Sequence, residues 1–344
     1  MILVTGGAGF IGANFVLEWL ARSEEPIVNL DKLTYAGNRA NLESLDGDAR
    51  HIFVQGDIAD AVLVSEILAR YQPRAILNFA AESHVDRAIL AGEQFIQTNV
   101  LGVFRLLEAA RAHWTGLQGQ EKSAFRFLQI STDEVYGSLP PGAVAFTESD
   151  RYEPNNPYAA SKAAADHLVR ASCRTYGLPV LTTNCANNYG PYQYPEKLMP
   201  HMITSALAGN PLPVYGDGRQ LRDWLHVKDH CDAIRMVLAL GVPGETYNVG
   251  ANAERCNLEV IRSICLLLDH MHPTSRAGGY SAQIVHVADR LGHDRRYSVD
   301  ASKIMSKLGW RARHSFDSGL RETVSWYLNH AAWIDVAQSR AASR

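Results

Sequence analysis

Short apolar runs alternate with longer amphipathic stretches through the first half of the chain. We predict buried strands at five apolar runs: Ile2–Val4, Ile27–Leu30, Ile52–Val54, Ala75–Phe79 and Phe127–Ile130. Stretches with helical spacing lie between these runs, among them Ile11–Ala21, Leu63–Arg70 and Ile96–His113. Strands that alternate with helices favour a parallel sheet covered by helices on both faces. The pattern therefore predicts an α/β fold with a Rossmann-like, doubly wound parallel sheet.

The pattern changes in the second half, where Pro and Gly become dense in residues 189–195 and 209–218. The next stretches predict a helix, a strand and two further helices: His226–Leu240, Thr246–Val249, Asn257–Leu268 and Phe316–Asn329. We predict a smaller, mixed carboxy-terminal domain. The predicted bounds are residues 1–183 for the first domain, with 226–249 returning to it, 184–225 and 250–330 for the second domain, and 331–344 for a frayed tail.

Composition narrows the class of protein. The 344 residues include 33 Lys plus Arg and 36 Asp plus Glu, and the formal net charge of −3 argues against a chain-wide nucleic-acid footprint. The five cysteines form no C-x-x-C pair and are odd in number, so we expect a reduced compartment rather than a disulfide framework. No secretory signal or membrane-length apolar run is evident. We expect a cytoplasmic protein without nucleic-acid or membrane partners.

A glycine-rich turn follows the first predicted strand and precedes the first predicted helix. Gly7, Gly9 and Gly12 fit G-x-G-x-x-G, and Gly6 adds the related G-x-x-G-x-x-G spacing. Glycine allows a sharp turn and close approach to a pyrophosphate, while the helix start offers free N–H groups. The position between a strand and a helix is the context that the motif requires. The sequence therefore predicts a dinucleotide site.

An acidic residue strengthens this prediction. Asp31 ends the second apolar run, 19 residues after Gly12, where a carboxylate can accept hydrogen bonds from ribose hydroxyls. The same carboxylate would repel a 2′-phosphate, so we expect NAD rather than NADP. Asp57 and Ile58 follow the third run, where a contact with the adenine edge is possible. The alternative is a tight structural turn with a solvated Asp.

A Tyr and a Lys share one face of a predicted helix. Tyr158 and Lys162 are spaced i and i+4. A nearby ammonium and a nicotinamide cation would favour the phenolate of Tyr158, which could then take a proton from a sugar hydroxyl. A bare Y-x-x-x-K spacing also occurs by chance, and the alternative is a Tyr packed under the stem of a Lys.

Two carboxyl groups follow the strand Phe127–Ile130. Thr132, Asp133 and Glu134 lie beyond its carboxyl end, where open parallel sheets bind ligands. Paired carboxyls in different surroundings can divide into an acid and a base. The alternative is an acidic cap of the next turn.

Other features have plainer interpretations. His226 and His230 are spaced i and i+4, but no further metal ligand is evident, so we expect no metal. We interpret Cys185 as a buried, inert thiol. Trp224 could stack on a base or belong to the core.

The order of several segments resembles the dTDP-glucose 4,6-dehydratase family of the extended short-chain dehydrogenase/reductase superfamily, from residue 1 to about 329. Besides the glycine turn and the Tyr–Lys pair, the resemblance rests on Leu30–Asn38, Ala80–Arg87, Ser131–Gly137, Thr183–Tyr192, Pro195–Leu198, Arg222–His226 and Gly292–Tyr297. The sequence departs from the family pattern at Ala186, Gln193, Cys256 and Leu291, which affects the fine positioning of the substrate.

The resemblance implies a mechanism and tightly bound NAD that is recycled within each turnover. Tyr158 would act as base on the C4 hydroxyl while Lys162 lowers the pKa of Tyr158 and holds the nicotinamide ribose. Thr132 would hold the substrate hydroxyl, Glu134 would remove the C5 proton, and Asp133 would protonate the leaving C6 hydroxyl. The implied product is a 4-keto-6-deoxy sugar nucleotide, which would enter deoxysugar (rhamnose-type) biosynthesis.

The resemblance also implies that the first domain binds NAD and that the second binds the nucleotide sugar, and it implies binding residues and an assembly. The expected cofactor-binding residues are Gly6, Gly9, Phe10, Ile11, Gly12, Asp31, Lys32, Thr34, Asp57, Ile58, Ala80, Ala81, Tyr158 and Lys162. The expected substrate-binding residues are Ser83, Thr132, Asn187, Glu196, Lys197, Leu198, Arg222, Asn257, Arg290 and His293. In the family, helices matching 96–113 and 163–175 build a homodimer, so we expect a homodimer here.

Two kinds of alternative stay open at this point. A nucleotide-sugar 4-epimerase shares the glycine turn, the Tyr and the Lys, but needs no acid and base at C5 and C6. Another nucleotide-sugar 4,6-dehydratase would keep a similar Glu. A non-catalytic NAD-binding regulator would need none of Tyr158, Lys162, Asp133 and Glu134 together.

Overall fold

The computed structural model describes residues 1–140 and 142–342. Its strands, in chain order, are β1 (Ile2–Thr5), β2 (Ile27–Asp31), β3 (His51–Gln55), β4 (Ala75–Asn78), β5 (Arg126–Thr132), β6 (Val180–Cys185), β7 (Asn187–Tyr189), β8 (Leu212–Tyr215), β9 (Leu221–His226), β10 (Thr246–Val249), β11 (Glu254–Cys256) and β12 (Ile284–Val287).

The α-helices, in chain order, are α1 (Phe10–Arg22), α2 (Ala61–Tyr71), α3 (Val85–Leu90), α4 (Glu93–Phe95), α5 (Val103–Gly116), α6 (Gly119–Ala124), α7 (Pro157–Tyr176), α8 (Leu198–Leu207), α9 (Val227–Leu240), α10 (Asn257–Met271), α11 (Ser302–Leu308), α12 (Phe316–Asn329) and α13 (Ala331–Ala342). Short 3₁₀ turns cover Arg39–Leu45, Asp133–Tyr136 and Tyr280–Gln283, and a π-helical segment covers Ile96–Gly102. Among the described helices, none combines the length and apolar character needed to cross a membrane.

Seven parallel strands form the main sheet in the order β10-β6-β5-β4-β1-β2-β3. β1 pairs with β2 on one side and with β4 on the other, so the strand order reverses between β1 and β4. A crevice opens at the carboxyl ends of the strands where the order reverses, and ligands bind there in such sheets. The doubly wound parallel sheet predicted from the sequence is confirmed.

Helices cover both faces of this sheet because neighbouring strand residues point to opposite sides. Val4 packs into the core beneath α1 and α9, which includes Phe15 and Ile234. The adjacent Leu3 packs on the other face, in a core shared with Leu107 of α5 and Val169 of α7. These runs are apolar without alternation because both faces of the strands are buried.

A smaller part of the structure packs at the carboxyl edge of the sheet. It contains the three-stranded β11-β9-β7 sheet, the β12-β8 pair and helices α8, α10 and α12 around a second apolar core. β10 joins the main sheet by pairing in parallel with β6 after the chain has visited this smaller part. The domain bounds given above stay a prediction, apart from the tail.

Two elements differ from their predictions. The expectation of a frayed tail is wrong for residues 331–342, which form α13, while residues 343–344 lie outside the described residues. Trp333 and Ile334 are buried, and the indole of Trp333 donates a hydrogen bond to Asn41 over 2.7 Å. The predicted helix Ile96–His113 instead begins with α4 and has π-helical geometry up to Gly102 before α5.

Candidate active site

One cavity at the carboxyl edge of the main sheet brings together most of the predicted site residues. It is lined by the glycine turn, by the ends of β2 to β5, by the start of α7 and by residues 185–197. It therefore occupies the crevice where the strand order reverses, as expected for this sheet topology.

The glycine turn allows backbone segments to approach closely. Gly6 has a φ of +72°, and a Cβ there would lie 2.6 Å from the backbone nitrogen of Ala80. A Cβ on Gly12 would lie 2.2 Å from the carbonyl oxygen of Gly6, so only glycine lets α1 pack against the turn. Gly9 precedes α1 without a side-chain cap, which leaves the helix N–H groups available at the cavity.

Asp31 fastens the glycine turn to the end of β2. Its carboxylate accepts hydrogen bonds from the backbone nitrogens of Ala8, at 2.9 Å, and Leu33, at 2.7 Å. Asp57, at the end of β3, forms a 2.7 Å ion pair with Lys32. These acidic groups lie beside each other at the part of the cavity formed by β2 and β3.

This part of the chain fits a dinucleotide. The glycines leave a cradle that a Cβ at Gly6 or Gly12 would close, and the start of α1 provides a positive dipole end for a pyrophosphate. The buried carboxylate of Asp31 suits ribose hydroxyls. All fourteen expected cofactor-binding residues line the cavity: Gly6, Gly9, Phe10, Ile11, Gly12, Asp31, Lys32, Thr34, Asp57, Ile58, Ala80, Ala81, Tyr158 and Lys162.

The two carboxyl groups after β5 have different surroundings. The hydroxyl of Thr132 caps the following 3₁₀ turn by accepting a hydrogen bond from the backbone nitrogen of Glu134 at 3.3 Å. Asp133 is 2% exposed, and its Oδ2 has no hydrogen-bond partner among the described residues. Glu134 is only partly buried, and its Oε2 accepts from the amide of Asn156 at 3.3 Å. The hydroxyl of Tyr297 lies 3.5 Å from the same oxygen but donates its proton to Asp294.

The surroundings of Asp133 favour the neutral form of this carboxyl group. Burial raises the pKa of Asp133 well above its usual value, and the neighbouring Glu134 and Asp223 raise it further. Arg222 and the Thr132 hydroxyl act in the opposite direction without reversing the shift. A buried carboxyl group with a raised pKa beside a second carboxyl group is suited to donate a proton.

Tyr158 and Lys162 enter the cavity from the first turns of α7. Asn156 caps this helix by accepting a hydrogen bond from the backbone nitrogen of Ala159 at 2.8 Å. Burial raises the pKa of Tyr158 well above its usual value, Glu134 raises it further, and a hydrogen bond with Thr132 lowers it. Lys162 is buried and donates to the carbonyl oxygen of Ile130 at 2.8 Å.

Lys162 was expected to lower the pKa of Tyr158, but it is not among the groups with the largest effects on that pKa. Burial and nearby carboxylates dominate, so Tyr158 is a neutral phenol here. Formation of the phenolate requires additional positive charge in the cavity, which a bound nicotinamide ring would supply.

Several expected substrate-binding residues also line the cavity: Ser83, Thr132, Asn187, Glu196 and Lys197. The ammonium of Lys197 donates to the carbonyl oxygen of Ser83 at 2.9 Å, which joins the β4 loop to the start of α8. Glu196 lies 3.6 Å from His84 and 3.9 Å from Arg87.

The other five expected substrate residues do not line this cavity: Leu198, Arg222, Asn257, Arg290 and His293. Leu198 and Asn257 begin α8 and α10. Arg222 comes nearest to the site, because its charge acts on Asp133 and its guanidinium lies 4.3 Å from the centre of the Tyr297 ring.

Arg290 and His293 are held by nearby carboxylates. Arg290 lies 3.6 Å from Asp86, and His293 contacts Asp289 at 2.7 Å. The charges of Arg290 and Arg222 act on each other, and Arg290 also acts on Lys197, so these cations lie around the same end of the cavity.

Sequence reasoning missed two residues that contact Glu134. Asn156 carries a recognisable signal, since Asn before Pro157 is typical of a helix start. Tyr297 carries no signal of spacing, because it reaches Glu134 from a segment 163 positions away. Further cavity residues without a sequence signal are Thr98, Asn188 and Tyr194.

The proposed histidine pair separates in the structure, and a different cluster forms. His230 contacts Asn188 at 2.9 Å, whereas ligand atoms of His226, His314 and Glu322 lie within 4.8 Å of one another. The rings of His226 and His314 are tilted, with centroids 4.1 Å apart and planes 31° apart. Asp229 already contacts Nδ1 of His314 and Lys228 already binds Glu322, so we assign no metal to this cluster.

Comparison with known proteins gives a consistent picture. A family model described as GDP-mannose 4,6 dehydratase matches residues 3–323. A dTDP-glucose 4,6-dehydratase of Xanthomonas campestris pv. campestris (strain B100) is 60% identical over 332 residues, covering 96% of this chain and 94% of the relative.

Solved structures extend the comparison. A crystal structure of a dTDP-glucose 4,6-dehydratase from Streptomyces venezuelae with NAD bound has a TM-score of 0.88 and 47% identity, covering 98% of this chain and 99% of that chain. A UDP-glucose 4-epimerase of Thermus thermophilus in complex with NAD has a TM-score of 0.83 and 28% identity, covering 96% and 99% of the two chains.

Proposed function

The chain belongs to the GDP-mannose 4,6 dehydratase family, and from this premise we propose that its cavity removes water from dTDP-glucose with NAD as cofactor. The protein is a hydro-lyase of deoxysugar biosynthesis, and its product is the 4-keto-6-deoxy sugar nucleotide. The assignment of roles to individual residues below is our proposal.

The observation that carries the proposal is the position of Asp133 and Glu134. Both acidic residues line the same cavity as the glycine turn and Tyr158. Oxidation and reduction at C4 alone, as in an epimerase, need a Tyr but no second acid and base. Elimination of water needs a base for the C5 proton and an acid for the C6 hydroxyl, and this pair supplies both groups.

NAD, when bound, supplies the hydride acceptor for C4 and the hydride donor for C6. Gly6, Gly9 and Gly12 would hold its pyrophosphate, and Asp31 would bind the adenosine ribose. Lys162 would bind the nicotinamide ribose. Because each turnover would return the hydride, NAD would not need to leave between turnovers.

Tyr158 begins the reaction by taking the proton of the C4 hydroxyl. Thr132 holds that hydroxyl and contacts Tyr158 directly. The phenol of Tyr158 is neutral in this structure because burial and Glu134 oppose its ionisation. Ionisation of Tyr158 would then depend on the positive charge of bound NAD, so the phenolate would form only in a loaded site.

Glu134 and Asp133 carry out the elimination. The C4 ketone acidifies the neighbouring C5 proton, and Glu134 removes it while the amide of Asn156 holds Oε2 of the carboxylate. Asp133 protonates the leaving C6 hydroxyl, in agreement with a pKa that burial and Glu134 raise. The elimination therefore releases one water, and the proton on Glu134 returns to C5 when C6 accepts the hydride.

The remaining substrate contacts belong to the cationic end of the cavity. We assign the diphosphate to Arg222 and Arg290, whose forked guanidinium groups suit phosphate oxygens, and place Lys197, Asn187, Glu196 and Ser83 around the sugar. Leu198, Asn257 and His293 remain proposed contacts of the nucleotide. Both arginines lie outside the cavity lining, so this assignment requires the nucleotide to extend past Lys197.

Finer statements about the biology are also proposals. We propose a cytoplasmic homodimer that feeds rhamnose-type deoxysugars. Five free cysteines agree with a reduced compartment. Ile96, Phe104 and Tyr176 expose 53%, 47% and 50% of their surface on the helices expected to form the dimer, and such apolar side chains favour association. Sedimentation analysis of Phe104→Asp against wild type tests this interface.

A panel of nucleotide sugars tests the function. Purified protein is incubated separately with dTDP-, UDP-, GDP- and CDP-glucose, and the product masses are recorded. We expect a product one water lighter, formed fastest from dTDP-glucose. An unchanged mass with inverted C4 would identify an epimerase, and a faster reaction with another base would correct the substrate.

A further inference from the structure

The buried ammonium of Lys162 has a contact that does not balance its charge. Lys162 is 4% exposed, and it donates a hydrogen bond to the backbone carbonyl of Ile130. A neutral carbonyl satisfies a donor but compensates only part of the cost of burying a cation. Burial accordingly lowers the pKa of Lys162. A Lys that must remain positive in this place needs a negative partner.

Asp166 lies one helical turn beyond Lys162 on the same face of α7. Tyr158, Lys162 and Asp166 follow each other at steps of four residues, so their side chains are neighbours along the helix. Asp166 is 5% exposed, and its Oδ2 accepts a hydrogen bond from the hydroxyl of Ser131 at 2.6 Å.

The two side chains are fastened to adjacent residues of one strand. Lys162 binds the carbonyl of Ile130 and Asp166 binds the side chain of Ser131, both near the carboxyl end of β5. The carboxylate of Asp166 acts electrostatically on the ammonium and raises the pKa of Lys162 against the effect of burial. This arrangement holds α7 against β5 immediately behind the cavity.

Few other titratable groups face this pair. Cys185 of β6 acts on Lys162, and burial raises the pKa of its thiol, so it stays neutral at ordinary pH. Tyr152 and Tyr136 face Asp166, and burial raises the pKa of both phenols. The net pKa of Asp166 is raised to about 6, because burial outweighs the opposite effects of Lys162 and Ser131. Asp166 is therefore the ionised partner near neutral pH.

We propose that Asp166 is a positioning residue, which keeps Lys162 charged and fixed against β5 so that Lys162 can serve the cofactor and Tyr158. The role of Lys162 in this inference rests on the proposed function, whereas the coupling between Asp166 and Lys162 does not. Asp166 is not expected to touch the cofactor or the substrate, since it does not line the cavity.

The coupling is measurable without any ligand. The chain has seven lysines, so protein labelled with ¹³C at lysine Cε gives a small set of signals, and Lys162→Arg identifies the signal of Lys162. In Asp166→Asn we expect the pKa of Lys162 to fall by at least about one unit, because a nearby buried charge is lost. Asp166→Glu should restore most of the wild-type value.

A buried carboxylate elsewhere supplies the matched control. Asp229 is 2% exposed, contacts His314 at 3.0 Å and does not line the cavity. Asp229→Asn therefore removes a buried charge at comparable structural cost, and we expect the Lys162 titration to stay as in wild type. An unchanged Lys162 titration in Asp166→Asn, or an equal shift in Asp229→Asn, would overturn the proposal.

Turnover of dTDP-glucose supplies the second measurement. We expect the alkaline limb of the kcat profile of Asp166→Asn to move to lower pH by about as much as the pKa of Lys162, with KM little changed. A fall in kcat by the same factor at every pH would contradict this role and indicate a structural defect. If wild type turns over no dTDP-glucose, the proposed function fails, while the lysine titration still decides the coupling.

Discussion

Asp133 and Glu134 are consecutive in the chain, yet Asp133 is buried with an unpartnered oxygen among the described residues, while Glu134 accepts a hydrogen bond from Asn156. The 3₁₀ turn after β5 produces this difference, because it buries the side chain of Asp133 and leaves that of Glu134 partly exposed, although both line the cavity. Unlike surroundings are what allow two carboxyl groups to work as acid and base.

Replacement of the proposed base separates oxidation from elimination. In Glu134→Gln we expect C4 oxidation to continue and water loss to fall by about 10²–10⁴-fold, the usual contribution of a general base. Single-turnover measurements should show reduced cofactor accumulating, and substrate deuterated at C5 should keep its label. Normal washout of that deuterium would show that another group is the base.

Removal of the Tyr158 hydroxyl should stop the reaction earlier. Tyr158→Phe keeps the ring that packs against Phe95, with centroids 6.4 Å apart, so the fold is preserved. We expect formation of reduced cofactor to slow by about 10²–10⁴-fold, because no group then takes the C4 hydroxyl proton. Stopped-flow absorbance measures this step, and an unchanged rate would remove Tyr158 from it.

A methyl group added at Gly12 tests the role of the glycine turn in binding NAD. In Gly12→Ala the new Cβ would meet the backbone of Gly6 at 2.2 Å, so the turn must shift and NAD affinity should fall at least about tenfold. Gly116→Ala is the matched control, since nothing lies within 4 Å of its Cβ. Calorimetric titration with NAD compares the two variants, and equal affinities would contradict the assigned cradle.

We expect the buried imidazole of His230 to lower the free energy of unfolding in acid. Burial lowers its pKa from 6.5 to about 3, and its Nδ1 contacts Asn188 at 2.9 Å. Because the pKa of His230 is lower in the folded state, its contribution to the free energy of unfolding is complete above the pKa of the unfolded state. This contribution is lost as pH falls from about 6.5 toward 3.

At about pH 4.5 this loss amounts to about 3 kcal/mol of the free energy of unfolding. His230→Gln cannot gain a proton, so its stability should fall less between about pH 7 and pH 4.5. Urea unfolding at both pH values measures the difference. Equal losses in wild type and variant would show that His230 is not the responsible group.

Much of the main sheet could be predicted because both faces of its strands are buried. Thr246–Val249 and Phe316–Asn329 have the predicted bounds, and each end of β1 to β5 lies within two residues of its prediction. The helix α13 in the tail could not be predicted from the small and polar residues at the end of the chain. Trp333 and Ile334 hold α13 by tertiary packing against distant parts of the chain, which local composition does not reveal.

The site divides in the same way. Residues at strand ends and in the first turn of α7 could be predicted, because parallel strands deliver their carboxyl ends to one edge. The contact of Tyr297 with Glu134 and the surroundings of Arg222 join segments that are distant in the chain. Residue spacing therefore does not predict these contacts. The dominant influences on Tyr158 also required the structure, since they arise from burial and from Glu134 rather than from Lys162.

The central claim is that one cavity oxidises C4, removes water across C5 and C6, and reduces C6 without releasing the hydride. dTDP-glucose deuterated at C4 tests it directly when purified enzyme converts it in ordinary water and the product is analysed by mass spectrometry and NMR. We predict a product that is one water lighter and carries the deuterium at C6. A product of unchanged mass, or one without deuterium at C6, would contradict the account.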